Sequence, residues 1–346
     1  MDEQDFVNEA PKRGDTYIEP MLIWFFSSKE IYSLISMETA ISLMEKAFIS
    51  LSAEKSEVPQ RYVTEFKERD LKLLLKPSFS EDIDCCGVKI LTQKEKAPSL
   101  NLPTIMGVMH LIDAQTGEFL AIMDGTSITA LRTGAASGIA TKYLSREDSQ
   151  VLAIFGCGAQ GRTQLEAVCA VRDIQKAYVY DIRPKTAENF IKDMQSKVEA
   201  DIQFTDDLTF LSKADIICTA TGAESPLFQL DQIKEGVHIN AIGSFQPHMQ
   251  EIDPQIIKAS RLFVEQKSAS MVESGDLIIP VNNKIITEDH LIGEIGEVFI
   301  GNKVGRDSEE DITLFKSVGI AVQDLMVAEA VYHKGDKKSM GTKIEL

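Results

Sequence analysis

Residues 150–161, QVLAIFGCGAQG, set an apolar run from Val151 to Phe155 against a Gly156-x-Gly158-x-x-Gly161 loop. The segment RTQLEAVCAV that follows reads as a helix. Twenty residues past Gly161, after a second apolar run over 177–180, stands Asp181. A strand before the glycines, a helix after them and an acid at that distance make a dinucleotide fingerprint, where a lone glycine pattern would be weak. Gly156 permits the tight turn out of the strand, Gly158 leaves the pyrophosphate unobstructed, and Gly161 lets helix and sheet pack closely. The free amides of the helix N-terminus suit phosphate. Asp181 is suited to accept hydrogen bonds from ribose hydroxyls and to repel a 2′-phosphate, so NAD(H) is favoured. Arg183, two residues on, leaves NADP(H) possible.

Downstream of this stretch, apolar runs recur: KAYVYD, IQFT, ADIICTAT, VHINAIG and RLFVEQ, with helical or loop segments between them. That alternation predicts an α/β fold, a doubly wound and mostly parallel Rossmann sheet. Ligands of such sheets bind at the carboxyl ends of the strands, so the loops after Phe155, Tyr180, Thr221 and Gly243 are expected to form the site. Residues 312–330 return to a helical pattern, expected to pack back on the first half.

Upstream, residues 21–124 read as an α+β domain. Helical spacing covers Ser36 to Leu51, and strand-like runs cover 61–66, 71–75, 87–91, 107–113 and 119–123. HLIDAQTGEFLAIM reads as a β-hairpin. The segment SITALRTGAASGIATKYL, rich in small residues, reads as a helix capped by Thr126 or Ser127 and suited to the seam between two domains.

Acidic residues outnumber basic ones by 53 to 36, for a net charge of −17 in 346 residues. This argues against nucleic acid or an anionic membrane as partner. The run Met21–Phe26 is too short to span a bilayer and follows an acidic leader unlike a signal peptide, so a cytoplasmic protein is expected. Cys85, Cys86, Cys157, Cys169 and Cys218 fit no zinc spacing and read as reduced thiols. His110, His238, His248, His290 and His333 form no cluster of metal ligands, and no metal is expected.

A dinucleotide fold names no reaction. Three basic residues stand in apolar or small-residue surroundings: Arg61 in VPQRYV, Lys89 in GVKIL and Arg132 in TALRTGAASG. A guanidinium matches a carboxylate through two parallel hydrogen bonds. A partly buried lysine has its pKa lowered towards neutrality, which suits proton transfer.

The chain resembles the ornithine cyclodeaminase/mu-crystallin family over roughly Met21 to Leu346. The segments that carry the likeness are GVKIL, LPTIMGVMHLIDAQTGEFLAIMDGTSITALRTGAAS, VLAIFGCGAQGRTQ, VHINAIG, RLFVEQ, GRDSEEDITLFKSVGIAVQDL and MGTKIEL. Residues 1–20 read as a flexible extension, and the resemblance implies a substrate and dimerisation domain over 21–126 with 316–346 and an NAD(P)-binding Rossmann domain over 127–315. It implies a homodimer joined through the first domain. By motif match, Arg61 and Arg132 fall on carboxylate-binding arginines, and Lys89 on a lysine that contacts substrate and is placed for proton transfer. Gly156, Gly158, Ala159, Gln160 and Asp181 fall on cofactor positions.

One departure bears on the reaction. Cyclodeaminases and archaeal-type alanine dehydrogenases of the family carry an aspartate two residues after the glycine of the NAIG-like motif. Here Phe245 stands there. Phenylalanine cannot hold an ammonium or accept a proton, but it can line an apolar substrate or cofactor face. The expected reaction is therefore NAD(P)H-dependent reduction of a small cyclic ketimine carboxylate, with Δ1-pyrroline-2-carboxylate giving L-proline as the leading case. An ornithine cyclodeaminase or alanine dehydrogenase is the alternative. A mu-crystallin-like binding protein comes next, disfavoured by retention of Lys89 with both arginines.

Overall fold

The computed structural model describes residues 20–94, 97–100 and 102–345; the extension expected over 1–20 lies, apart from Pro20, outside them. The first half of the chain supplies β1 (Leu22–Phe26), β2 (Ser56–Glu57), β3 (Tyr62–Phe66), β4 (Leu71–Ser80), β5 (Cys85–Gln93), β6 (Ile105–Asp113) and β7 (Phe119–Asp124). They form one sheet in the order β1-β7-β6-β5-β4-β2, with β3 also on β4. All pairs but β1–β7 are antiparallel. Side chains alternate between the faces of a strand. Leu74, Lys76, Ser78 and Ser80 of β4, with Cys85, Gly87, Lys89 and Leu91 of β5, share the buried face. The hairpin over 110–123 forms as expected, its turn held by Asp113 Oδ1, which accepts from the amides of Gln115 and Thr116.

Helices α1 (Ser28–Leu34) and α2 (Met37–Ser52) cover this sheet together with α3 (Gly125–Leu144) and the C-terminal helix Ala321–Lys338, and they share one core. α3 is buried on nearly every side, as its small residues allow. Its cap differs from expectation. Asp124, at the end of β7, caps it by accepting from the Ser127 amide at 2.7 Å. The carboxylate satisfies that amide better than the hydroxyl of Thr126 or Ser127 one turn inside the helix.

The second half builds the α/β unit from β8 (Val151–Phe155), β9 (Lys176–Tyr180), β10 (Asp201–Phe204), β11 (Ile216–Thr219), β12 (His238–Ala241), β13 (Arg261–Val264), β14 (Leu291–Glu294) and β15 (Thr313–Lys316). Their order is β10-β9-β8-β11-β12-β15-β13-β14, and every pair is parallel. The strand order reverses beside β8, the strand that feeds the glycine loop, which puts that loop at the topological switch point. Helix α4 (Ala159–Cys169) leaves the loop, and α5 (Pro184–Met194) follows β9. Separate apolar cores fill the two faces of the sheet.

The helical pattern expected over 312–330 divides in two. Thr313–Lys316 is β15, fully buried between β12 and β13, and the helix begins only at Ala321. Four apolar or buried positions in a row fit a central parallel strand as well as a buried helix, so periodicity alone misassigned them. A last strand, β16 (Thr342–Glu345), pairs antiparallel with β1 and ties the chain's end to the first sheet. Among the described residues no helix is long and apolar enough to cross a membrane.

Candidate active site

β8 ends at Phe155, and Gly156 turns the chain with φ +97°, a left-handed conformation that a side chain would strain. Gly158 faces open space and precedes α4 without a side-chain cap, so the first amides of that helix are left for a ligand. Ala159 and Gln160 form the first turn of α4, and Gly161 packs against the Gly156 carbonyl. Asp181 follows β9. One of its oxygens accepts from the Cys157 amide at 3.0 Å, and the other from the Arg183 amide at 2.9 Å. The acid therefore shapes the glycine loop from the carboxyl end of β9. Arg183 extends into solvent with its Nε 3.6 Å from Asp181.

Across the cleft is a cavity of about 180 Å³. It gathers seven residues singled out in the sequence: Arg61, Lys89, Arg132, Gln160, Thr221, Gly243 and Phe245. Gly156, Gly158, Ala159, Gly161, Asp181 and Arg183 do not line it; they sit on the loops at the carboxyl ends of β8 and β9. The two groups meet at Gln160, whose side-chain oxygen is buried and has no hydrogen-bond partner. An orphaned acceptor beside an open glycine cradle fits a dinucleotide.

Lys89 is fully buried on β5. Its Nζ donates to Asp324 Oδ1 at 2.6 Å and to Thr129 Oγ1 at 2.8 Å. Burial lowers its pKa, Asp324 opposes that, and Arg132 adds to it, with a result of about 8. Arg132, on α3, donates from Nε to Asp324 at 3.0 Å and from Nη1 to Gln323 at 3.0 Å. For Asp324 burial pushes upward, but Lys89, Arg132 and Lys76 together hold its carboxyl below the usual range. Arg61 precedes β3, and its guanidinium is forked onto Glu273, with Nε at 2.6 Å from Oε1, while Nη2 also reaches the Val318 carbonyl at 3.0 Å. Burial, then Arg132, lowers its pKa to about 10.

Several residues that organise the site carry no motif. Glu265, past the end of β13, accepts from Ser317 Oγ, the Val318 and Gly319 amides and Gln323 Nε2 at 2.7–3.0 Å. It thereby fixes the turn into the C-terminal helix. Gly319 in that turn has φ +78°, and a Cβ there would lie 2.6 Å from the Arg132 guanidinium. Glu251 takes four donors: the Thr221 amide and hydroxyl, the Thr219 hydroxyl and the Gly243 amide, at 2.6–2.8 Å. It clamps together the two loops after β11 and β12. Lys76, on β4, lines the cavity and was absent from the sequence reading. Its signal lay in phase: a lysine two residues after the buried Leu74, on the inward register of LKLLLKPSF. No group of three or more potential metal ligands is found among the described residues. All five cysteines are free, and burial raises the pKa of each.

Comparison with known proteins gives a consistent result. The family model described as ornithine cyclodeaminase/mu-crystallin matches residues 24–339. A Delta(1)-pyrroline-2-carboxylate reductase of Bacillus cereus is 38% identical over 321 residues, covering 92% of this chain and 98% of that protein. The solved structure of the Thermococcus litoralis Delta(1)-pyrroline-2-carboxylate reductase, in complex with NADH and L-proline, superposes with a TM-score of 0.90 at 40% identity, covering 93% of this chain and all of that one. An archaeal alanine dehydrogenase dimer with bound NAD superposes at 0.88 with 36% identity, covering 94% of this chain and 100% of that one.

Proposed function

The chain belongs to the ornithine cyclodeaminase/mu-crystallin family, and we propose that within it the protein is an NADH-dependent reductase of Δ1-pyrroline-2-carboxylate, yielding L-proline. The observation that carries this reading is the cavity of Lys89, Arg61, Arg132 and Phe245: a lysine with a lowered pKa, cations for a carboxylate and an apolar wall. Relatives that bear the name of this activity match almost the full length of the chain.

NADH, when bound along the glycine loop, supplies the hydride. The chain's own residues do the rest. Arg61 Nη1 and Arg132 Nη2, the guanidinium nitrogens not engaged by Glu273, Val318, Gln323 or Asp324, orient the substrate carboxylate. Lys89 Nζ gives a proton to the ring nitrogen, and Asp324 and Thr129 hold the ammonium in place. As the C=N carbon gains hydride and the nitrogen gains the proton, a secondary amine results with atoms and charge in balance. Phe245 packs against the ring and offers no carboxylate to a side-chain ammonium, which disfavours diamino acids. Asp181 supports the choice of NADH over NADPH. Following NADH oxidation with enzymatically generated Δ1-pyrroline-2-carboxylate tests the reading. No turnover with this imine would overturn it, and reduction of pyruvate with ammonia in its place would favour an alanine dehydrogenase.

The same reading includes a homodimer and a cytoplasmic location. The outer face of the first sheet carries Leu73, Leu75, Val88, Ile90 and Val108, none of them fully buried, and Tyr62, Val63 and Phe66 on β3 are 65%, 52% and 46% exposed. An apolar face of that kind supports contact with a second copy, and an archaeal relative is a dimer. Free thiols suit a reducing compartment.

A further inference from the structure

The antiparallel register of β4 and β5 sets Lys76 directly opposite Lys89. Both lie on the inner face, and both line the cavity. The cavity thus has four basic side chains: Arg61, Lys76, Lys89 and Arg132. The protein supplies two ion-paired carboxylates for three of them. Arg61 is forked onto Glu273, while Lys89 and Arg132 share Asp324. Lys76, only 5% exposed, forms no ion pair among the described residues, and its Nζ donates to the Gly319 carbonyl at 2.7 Å. An ammonium has three donors, so one neutral acceptor leaves it short of partners and without a counter-charge.

We propose that Lys76 is the residue that receives the substrate carboxylate as its counter-ion, and that it thereby selects anionic imines and rejects substrates with a second amine. The assignment rests on the reading of the site as one for an imine carboxylate. A carboxylate that engaged Arg61 or Arg132 alone would enter beside Glu273 or Asp324, buried acids that repel it. Beside Lys76 it meets a side chain that has one neutral acceptor and no ion pair among the described residues.

The groups around Lys76 also set when it is charged. Arg61 and Glu273 face it across a small adjoining cavity of about 20 Å³. Lys89 stands on β5, Arg132 on α3 and Asp324 on the C-terminal helix. Burial, then Arg61 and Lys89, push its pKa well below the usual lysine value, and Asp324 opposes them. An arriving carboxylate reverses that balance, so binding of the substrate draws a proton onto Lys76. A second ammonium, as in a diamino acid, would instead meet four basic side chains.

The test is Lys76→Met in the NADH holoenzyme, a change that keeps the length of the chain stem and removes the charge. With Δ1-pyrroline-2-carboxylate, KM rises roughly 10- to 100-fold while kcat changes far less. The rise of KM with pH that marks loss of the Lys76 proton disappears from the variant, whereas the pH dependence of kcat stays. NADH binding and thermal unfolding, unchanged in the variant, exclude a folding defect. A KM within twofold of wild type with the same pH profile overturns the assignment. Pyrrole-2-carboxylate, a flat anion, is titrated into both proteins loaded with NAD as a second measurement. If the wild type fails to reduce the imine yet binds this anion more tightly than Lys76→Met does, the functional reading falls and the Lys76 assignment stands. Equal binding, or none to either protein, overturns the assignment.

Discussion

Lys89 Nζ lies 2.6 Å from Asp324 Oδ1, with both side chains fully buried, and Asp324 Oδ2 has no hydrogen-bond partner at all. One carboxylate oxygen therefore carries the contacts that hold the lysine of β5 and the arginine of α3 in one place. Coupling of that kind makes the acid a positioning residue for the proton donor.

Asp324→Asn removes the charge that raises the Lys89 pKa. The amine then titrates below about 8, and the fall of kcat on the alkaline side moves to lower pH. At pH 8 kcat drops about 10- to 100-fold, since less of the donor carries its proton. The pH profile of kcat for the two proteins checks this. A profile that keeps its position would mean that Asp324 does not set the Lys89 proton.

Lys89→Met loses the donor outright. If Lys89 acts as the acid, wild-type kcat is full below about 8 and declines as pH rises through that value. Below that value the variant loses about 10²- to 10⁴-fold in kcat, the range for removal of a general acid, and the alkaline decline disappears from its profile, while its NADH affinity is retained. Steady-state rates and a fluorescence titration with NADH separate the two effects.

Glu251→Gln places an amide N–H₂ where one carboxylate oxygen now accepts two donors. At least one buried amide or hydroxyl is left unsatisfied, at a cost of about 1–3 kcal/mol. The melting temperature falls, and because the Thr221 and Gly243 loops loosen, KM for NADH rises more than KM for the imine. Thermal unfolding and initial rates with each substrate varied in turn supply the check. Equal changes in both KM values would argue against a role confined to the cofactor side.

Asp181→Ser removes the repulsion expected for a 2′-phosphate, together with the carboxylate that accepts from the Cys157 amide. The ratio of kcat/KM for NADPH to that for NADH rises roughly 10- to 100-fold. Arg183, exposed two residues on, becomes available to the phosphate. A wild-type enzyme that already prefers NADPH would contradict the reading of Asp181.

The Rossmann half was legible because its signals are local. A strand, a glycine turn and a helix follow one another within residues 151–169, and the acid that ends the next strand is in fixed phase with them. The candidate site was legible where charge stood out from its neighbours, as at Lys89 in GVKIL and Arg132 among small residues. Asp324 and Lys76 escaped because their meaning is non-local. Asp324 reads as an ordinary polar residue on a helix until the fold sets that helix against β4 and β5. Lys76 looks like an edge lysine until the register places it opposite Lys89. β15 escaped for a different reason: a four-residue buried strand carries no period of its own.

The acid that steadies Lys89 and the glutamine that meets Arg132 both come from the first turn of the C-terminal helix, and β16 then closes against β1, the first strand described. A ribosome that has delivered the chain up to residue 316 has released every strand of the parallel sheet and can let the cofactor unit fold. It has not yet delivered Asp324. The chemistry of the Lys89 cavity thus waits on residues 317–338, which emerge after the sheet that carries the glycine loop is complete.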